Sequence, residues 1–233
     1  MDSGGSPYDI EYRAAAPSDL SPRRCAAPGC KNLTQRSARN GLSETLCKRH
    51  VEFRRRHGTH WRRSYTMAEL RPFQTAARRW LKAHRGDHRL EGVVAALDGL
   101  LAGSGTARTA QDVRWAGTEE KVRNALARLH CAGKSGAQLL LITLTVKAAQ
   151  AALGPRANPE FQYVQIAKMA HRLASGTHIR SGIWGDRHIY PRAEGSFMRL
   201  LGQTVEDIAG IVVDLEAVRE VVAAAGRRDL DAL

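Results

Sequence analysis

Cys25, Cys30, Cys47 and His50 are the residues of this chain whose types and spacing best suit one piece of chemistry. They follow the pattern Cys-x4-Cys, sixteen residues, then Cys-x2-His. Soft and borderline donors in sets of four bind zinc tetrahedrally, with close ligand pairs on two short turns. The Pro28-Gly29 step is turn chemistry that folds the first two thiolates toward one ion. Cys47 and His50 stand three apart, on one side of a helix that would continue through an Arg-rich stretch. His57 and His60 are alternatives to His50 with poorer spacing. Met1 to Ile10 is polar and acidic and lacks the features of a secretory leader, so the expected compartment is the cytoplasm. There a thiol cluster is more often a metal site than a disulfide framework. The expected cofactor is therefore zinc (Zn2+). Apolar material in the segment is sparse, mainly Leu33, Leu42, Leu46, Val51 and Phe53, so the ion is expected to supply most of its folding free energy.

Directly after His50 the chain reads VEFRRRHGTHWRRSY. Arg54, Arg55, Arg56, Arg62 and Arg63 surround Trp61 and Tyr65. Guanidinium forks bind phosphate bidentately, and an aromatic ring among them either stacks on a base or turns into a core, the core being the favoured place. The net charge of +13 is concentrated here. Residues 1–90 hold 19 Lys and Arg against 8 Asp and Glu, whereas residues 91–233 hold 17 against 15. A positive field so localised attracts a polyanion and releases counterions on contact, so nucleic acid is the expected partner, DNA ahead of RNA.

The segment CAAPGC…GLSETLCKRHVEFRRRHG, about residues 25–58, resembles short zinc fingers with three cysteines and one histidine found in bacterial phage and mobile-element proteins. Their usual form is a Cys-x4-Cys knuckle, a basic stretch, then Gly-Leu-Cys-x2-His leading into a basic helix. In this chain Ser43 to Leu46 separate Gly41-Leu42 from Cys47. The resemblance implies a treble-clef-like hairpin feeding a helix, and a role on nucleic acid.

The rest of the chain is mainly helical by pattern. Thr66-x-x-Glu69 is a capping box for a helix from Met67 to His84, with Leu70, Phe73, Ala77, Trp80 and Leu81 inward and Arg78, Arg79, Lys82 and Arg85 on the other side. Asp87 caps a second helix carrying Leu90, Val93, Val94, Leu97, Leu100 and Leu101, closed by Gly103-Ser104-Gly105. Further helices are expected from Thr118 to about Ala132, from Ala137 to Leu153, and from Glu160 to Ala174. The last two run from about Ser196 to Leu201 and from Thr204 to Ala225. From residue 205 onward seven acidic residues face three basic ones, which suggests protein contacts or restraint of the basic surface. Cys131 is expected as a small buried hydrophobe. Residues 171–192 mix glycines with His171, Arg172, His178, Arg180, Arg187, His188, Arg192, Trp184 and Tyr190. This stretch either extends a ligand surface or is a connection whose rings plug the core.

Several other functions lack the residues they need. The longest apolar run, Leu139 to Val146, is far short of the roughly 20 residues of a membrane span. A helix-turn-helix reading of 118–153 fails because the second helix carries a single charge, Lys147, and lacks polar tips for base edges. Gly133-Lys134-Ser135 lacks the earlier glycine of a phosphate loop, its place falling near Leu129. The nearest nuclease-like group, His84-Arg85-Gly86-Asp87-His88, is followed by RLEGVVAALDGL, without the Asn and second His such a metal site needs.

The sequence thus predicts four parts: an extended or disordered 1–22, a zinc finger and basic helix over 23–65, a bundle of about seven helices over 66–225, and a tail over 226–233. The expected function is non-catalytic, zinc-dependent nucleic-acid binding, as a DNA-binding regulator or recombination accessory of a mobile element. The alternatives are a zinc-finger subunit of an RNA-guided nucleoprotein complex and a metal-dependent nuclease. Residues expected on the nucleic acid are Arg54, Arg55, Arg56, Trp61, Arg62, Arg63, Arg78, Arg79, Lys82, Arg180 and Arg187.

Overall fold

In the computed structural model the periodic segments become helices packed on one core. The structure describes residues 23–35, 43–109, 112–155, 158–174, 179–180, 187–188 and 195–231, with 179–180, 187–188 and 227–231 as backbone alone. Among the described residues the helices are α1 (Lys48–His57), α2 (Met67–Ala83), α3 (His88–Ala102), α4 (Thr118–Cys131), α5 (Gly136–Leu153), α6 (Pro159–Leu173), α7 (Gly195–Ala209) and α8 (Leu215–Asp231). The protein is mainly α, with a Cys and His cluster at the N-terminal side followed by a helical bundle.

Helix α5 is the central element, packing against α2, α3, α6, α7 and α8. It is long and apolar enough to cross a membrane, yet 61% of it is buried inside the bundle, as befits a core helix. Thr143 and Thr145 interrupt its apolar run without leaving orphan groups. Their hydroxyls donate to the Leu139 and Leu141 carbonyls at 3.1 and 2.7 Å. Its one charge, Lys147, pairs with Glu206 of α7 at 3.0 Å, both side chains being about one-fifth exposed.

Side-chain caps set several helix starts. Thr66 Oγ1 accepts from the Glu69 N–H at 3.2 Å while Glu69 Oε2 accepts from the Thr66 N–H at 2.7 Å. Asp87 accepts from the Arg89 N–H at 2.8 Å, and Asn158 from the Phe161 N–H at 2.9 Å. Leu90, Val93, Leu97 and Leu101 form the buried stripe of α3.

Three expectations are corrected. The C-terminal helices do not divide between Leu201 and Thr204: α7 runs unbroken to Ala209, and the break lies at Gly210–Asp214, where Asp214 accepts from the Ala217 N–H at 2.9 Å. Gly202 lies inside α7 because a Cβ there would stand 1.9 Å from the Tyr163 carbonyl oxygen, so it marks the close approach of α6 and α7, not a helix end. Helix α8 passes through Gly226 to Asp231, since one interior glycine costs only about 1 kcal/mol in a helix backed by packing. Cys131 is exposed, because it closes α4 on the face turned from the core.

The stretch 58–65 leaves the helical path earlier than the basic-helix expectation. Gly58 adopts φ +83°, its N–H donating to the Arg54 carbonyl at 2.7 Å, and ends α1. A side chain there would also collide with the Glu160 carbonyl at 2.7 Å. Thr59 Oγ1 then accepts from the N–H groups of Trp61 and Arg62 at 3.1 Å each, so Arg62 and Arg63 sit on a turn. Helix α1 packs against α6 and α7, and Tyr65 is buried in the bundle core, its hydroxyl donating to the Gly154 carbonyl at 2.5 Å.

Between α6 and α7, β1 (Ile179–Arg180) and β2 (Arg187–His188) pair antiparallel, with Arg180 opposite Arg187. Residues 1–22, Leu42, His178, Trp184, Tyr190 and Arg192 lie outside the described residues.

Candidate metal centre and basic surface

The knuckle is a hairpin built by backbone pairing. The Cys25 N–H donates to the Asn32 carbonyl at 2.9 Å and the Thr34 N–H to the Arg23 carbonyl at 2.9 Å, while the Cys30 N–H closes the turn on Ala27 at 3.0 Å. Gly29 takes φ +72° at the turn, as the Pro28-Gly29 step predicts. Two further bonds, Ala26 to Thr45 at 2.8 Å and Gln35 to Leu46 at 3.0 Å, lay the hairpin against the chain entering α1. Cys47 is the residue before that helix and His50 lies in its first turn.

This construction brings the four donor atoms within 4.8 Å of one another. His50 Nδ1 lies 3.3 Å from both Cys25 Sγ and Cys47 Sγ, and Cys30 Sγ lies 3.9 Å from Cys47 Sγ. A tetrahedral ion with metal–sulfur bonds of about 2.3 Å and a metal–nitrogen bond of about 2.0 Å requires roughly 3.8 Å between sulfurs and roughly 3.5 Å from sulfur to nitrogen. The cluster matches that pattern. The thiols are free, and 3.9 Å is almost twice a disulfide length of about 2.05 Å. Cys25 and Cys47 are buried, and Cys30 and His50 half-buried.

The local electrostatics differ from donor to donor. Desolvation opposes ionisation of Cys47, but the His50 N–H and the Asn32 side chain outweigh it and lower its pKa. At Cys30 the Asn32 N–H favours the thiolate, while desolvation and the neighbouring thiols prevail and raise the pKa. Desolvation, Arg49 and His60 hold His50 below its ordinary range, so it is neutral and able to donate a lone pair near neutral pH. His57 is committed elsewhere, its Nδ1 accepting from the Ser64 N–H at 3.1 Å. Among the described residues this is the one group of His, Cys, Asp and Glu side chains placed to hold a metal ion.

The expected phosphate contacts fall into separate places. Arg54 is exposed but pairs with Glu160 of α6 at 2.6 Å, and Arg199 of α7 shares the same carboxylate. The stem of Arg55 lies against Gly195 at the start of α7. Arg62 is only one-quarter exposed, pairs with Glu69 at 3.1 Å and lies 5.2 Å over the Tyr65 ring. Arg56 and Arg63 are exposed. Trp61 is 58% exposed, whereas Tyr65 is 4% exposed, so the core takes only the second ring. Arg78, Arg79 and Lys82 lie exposed toward the far end of α2. Arg78 and Lys82 line a groove of about 660 Å³ shared with α3 and α5. The side chains of Arg180 and Arg187 lie outside the described residues. On the acidic α8, Glu220 accepts from the Trp80 indole at 2.5 Å.

Two histidines away from the metal centre set an acid limit on stability. His57 is pushed down to about 4 by desolvation, with Lys168, Arg56 and Arg63 adding repulsion. His171 is pushed down to about 4 by desolvation and by Arg128 of α4. Each ring takes up a proton near 6.5 in the unfolded chain and near 4 in the folded one. The unfolded state therefore binds more protons between those values. The stability the two neutral rings contribute is complete above pH 6.5 and is lost as pH falls from 6.5 toward 4. In an NMR titration neither ring is expected to show a midpoint above pH 5; a midpoint near 6.5 for both removes this acid sensitivity.

Of the nuclease-like residues, His84 and Asp87 are engaged in structure. His84 Nδ1 lies 2.9 Å from the Trp80 carbonyl and its ring stacks on Trp80 at 4.1 Å, while Asp87 caps α3. Residues the pattern reading passed over are Asn32, Ser64 and Lys168. The available signal for Lys168 was a lysine on the apolar side of α6, one turn after Val164, which is fully buried.

No family model, curated protein or solved structure matches the chain.

Proposed function

We propose that the protein binds one zinc ion through Cys25, Cys30, Cys47 and His50, and uses the module so fixed to grip nucleic acid without catalysis, DNA in preference to RNA. The observation that carries the reading is the convergence of the four donors at the N-terminus of α1. Cys47 stands at the N-cap position of that helix and His50 lies within it. An ion at the tetrad fixes the direction of an element whose last turn carries Arg54, Arg55, Arg56 and His57. Phosphate contacts from such an arm set register and add affinity that depends on salt. The concentration of basic charge in residues 1–90 supports the same reading. The setting, regulation or recombination on a mobile element, rests on the resemblance of residues 25–58 to fingers of such proteins.

The test combines metal analysis with binding. Purified protein is expected to hold about one zinc per chain, and the logarithm of its affinity for a random duplex to fall with the logarithm of salt at about −0.9 per phosphate contacted. Metal-loaded, folded protein with no affinity for duplex or single strand, or with a salt slope near zero, rejects the proposal.

A further inference from the structure

Lys168 lies inside the apolar row of α6, half-buried, and reaches the connection between α1 and α2. Its Nζ donates to Ser64 Oγ at 2.6 Å. Ser64 Oγ in turn lies 3.0 Å from His57 Nδ1. The connection is pinned to α6 around this contact, with Gln165 Nε2 donating to the His57 carbonyl at 3.2 Å and Gln165 Oε1 accepting from the Tyr65 N–H at 3.3 Å. The cation is therefore held in place by two elements and is not a free surface lysine.

The charged groups acting on this spot are all positive. Arg172 and Arg56 act on Lys168, and Lys168, Arg56 and Arg63 act on His57. Arg172 stands one helical turn beyond Lys168 on α6, and so on the same side. Among the described residues no carboxylate forms an ion pair with Lys168 or His57. Of the acidic groups nearby in sequence, Glu160 pairs with Arg54 and Arg199, and Glu69 with Arg62, while Glu52 lies exposed one turn before Arg56 on α1. An ammonium has three N–H donors, and one of these goes to Ser64; among the described residues no acceptor pairs with the other two. Half-burying a cation among cations is costly unless an anion completes the set. Desolvation, Arg172 and Arg56 bring Lys168 down to about 8, consistent with that unmet charge.

From this geometry we infer that Lys168, Arg172, Arg56 and Arg63 form a phosphate-binding site on the bundle, with Ser64 holding Lys168 in place, and that its ligand is a backbone phosphate of the nucleic acid. The inference rests on the proposed function for the identity of the ligand, but the anion site stands on its own residues. It assigns a role to α6, outside the zinc module, and makes the docked connection 58–65 part of the contact surface. A phosphodiester suits the site because Lys supplies a compact charge and the flanking guanidinium groups supply forked donors.

The experiment uses the full-length, metal-loaded protein and three variants, Lys168→Gln, Lys168→Arg and Arg172→Gln. The last lies on an exposed side chain and reads the same site without altering the interior. Two measurements are made, thermal stability in inorganic pyrophosphate at constant ionic strength, and binding of a labelled oligonucleotide across salt. Pyrophosphate is expected to raise the melting temperature of the wild type and of Lys168→Arg, but not of Lys168→Gln, and Arg172→Gln is expected to weaken the shift. Lys168→Gln is also expected to bind oligonucleotide about tenfold more weakly, with a salt slope smaller by about one. No pyrophosphate shift in the folded wild type, or an equal shift in Lys168→Gln, overturns the site. A Lys168-dependent pyrophosphate shift with an unchanged oligonucleotide slope overturns the nucleic-acid assignment and leaves a site for free phosphate. Failure of the wild type to bind any oligonucleotide, with the pyrophosphate shift intact, rejects the proposed function and not the anion site.

Discussion

Stripping the metal with a strong chelator, or replacing Cys47 with serine, is expected to unfold the knuckle while the bundle stays folded. The module and the bundle have separate apolar clusters. The module's buried set is Cys25, Ala27, Leu46 and Cys47, with Cys30 and Val51 partly buried against it, and half of these are donors of the candidate metal site. Burying one aliphatic side chain is worth about 1.5–3 kcal/mol, whereas fixing the backbone costs about 1–2 kcal/mol for every residue ordered. Leu46 and Ala27 do not offset that cost across residues 23–35 and 43–47. Zinc binding to such modules supplies about 10–16 kcal/mol of apparent free energy near neutral pH. Hydrogen exchange is the appropriate measurement. The amides of Ala26, Thr34 and Gln35, bonded to Thr45, Arg23 and Leu46, are expected to lose protection on chelation. Those of Leu144 and Val146 in buried α5 are expected to keep theirs. Full protection of the first set in metal-free protein would falsify the idea that the ion holds this module together.

Phe161→Ala is expected to be the most costly single truncation in the bundle, at about 3–5 kcal/mol. Phe161 is completely buried in the first turn of α6 and meets the Tyr65 ring edge-on at 5.1 Å. It also lies under Gly58, the residue that ends α1. Its removal opens a cavity where α6 holds the connection from the module, beside the close approach of Gly58 to the α6 backbone. At this chain length a loss of that size lowers the melting temperature by roughly 10 °C. Phe53→Ala is the natural comparison, since Phe53 is only half-buried beside the His57 ring at 4.4 Å. Denaturant unfolding of the two variants checks the order. Equal losses would mean that the α1–α6 junction is not the sealed contact described here.

The tetrad was legible because its chemistry is local. The pairs Cys25 with Cys30 and Cys47 with His50 are each joined by a few residues, and turn and helix geometry fixes each pair almost alone. The helices were legible for a similar reason, since Thr66 with Glu69, and Asp87, act within one turn of their own chain. The failures share one cause. Gly202 looks like a helix breaker until Tyr163 approaches it, and Trp61 and Tyr65 look alike until one of them finds the Gly154 carbonyl and the Phe161 ring. Arg54 and Arg62 read as free cations, yet each meets a carboxylate, one of them more than a hundred residues away.

By itself the sequence determined a mainly helical chain, the four donors of a candidate metal site and the concentration of positive charge toward the N-terminus. These depend on residue type, short spacing and composition, which survive without knowledge of the fold. Tertiary structure alone decided which arginines are spent on Glu160 and Glu69, and which ring stays in water. It also decided that Lys168 of α6 stands beside Ser64 and among cations, because charge partners and burial are set by elements that meet only when the chain is folded.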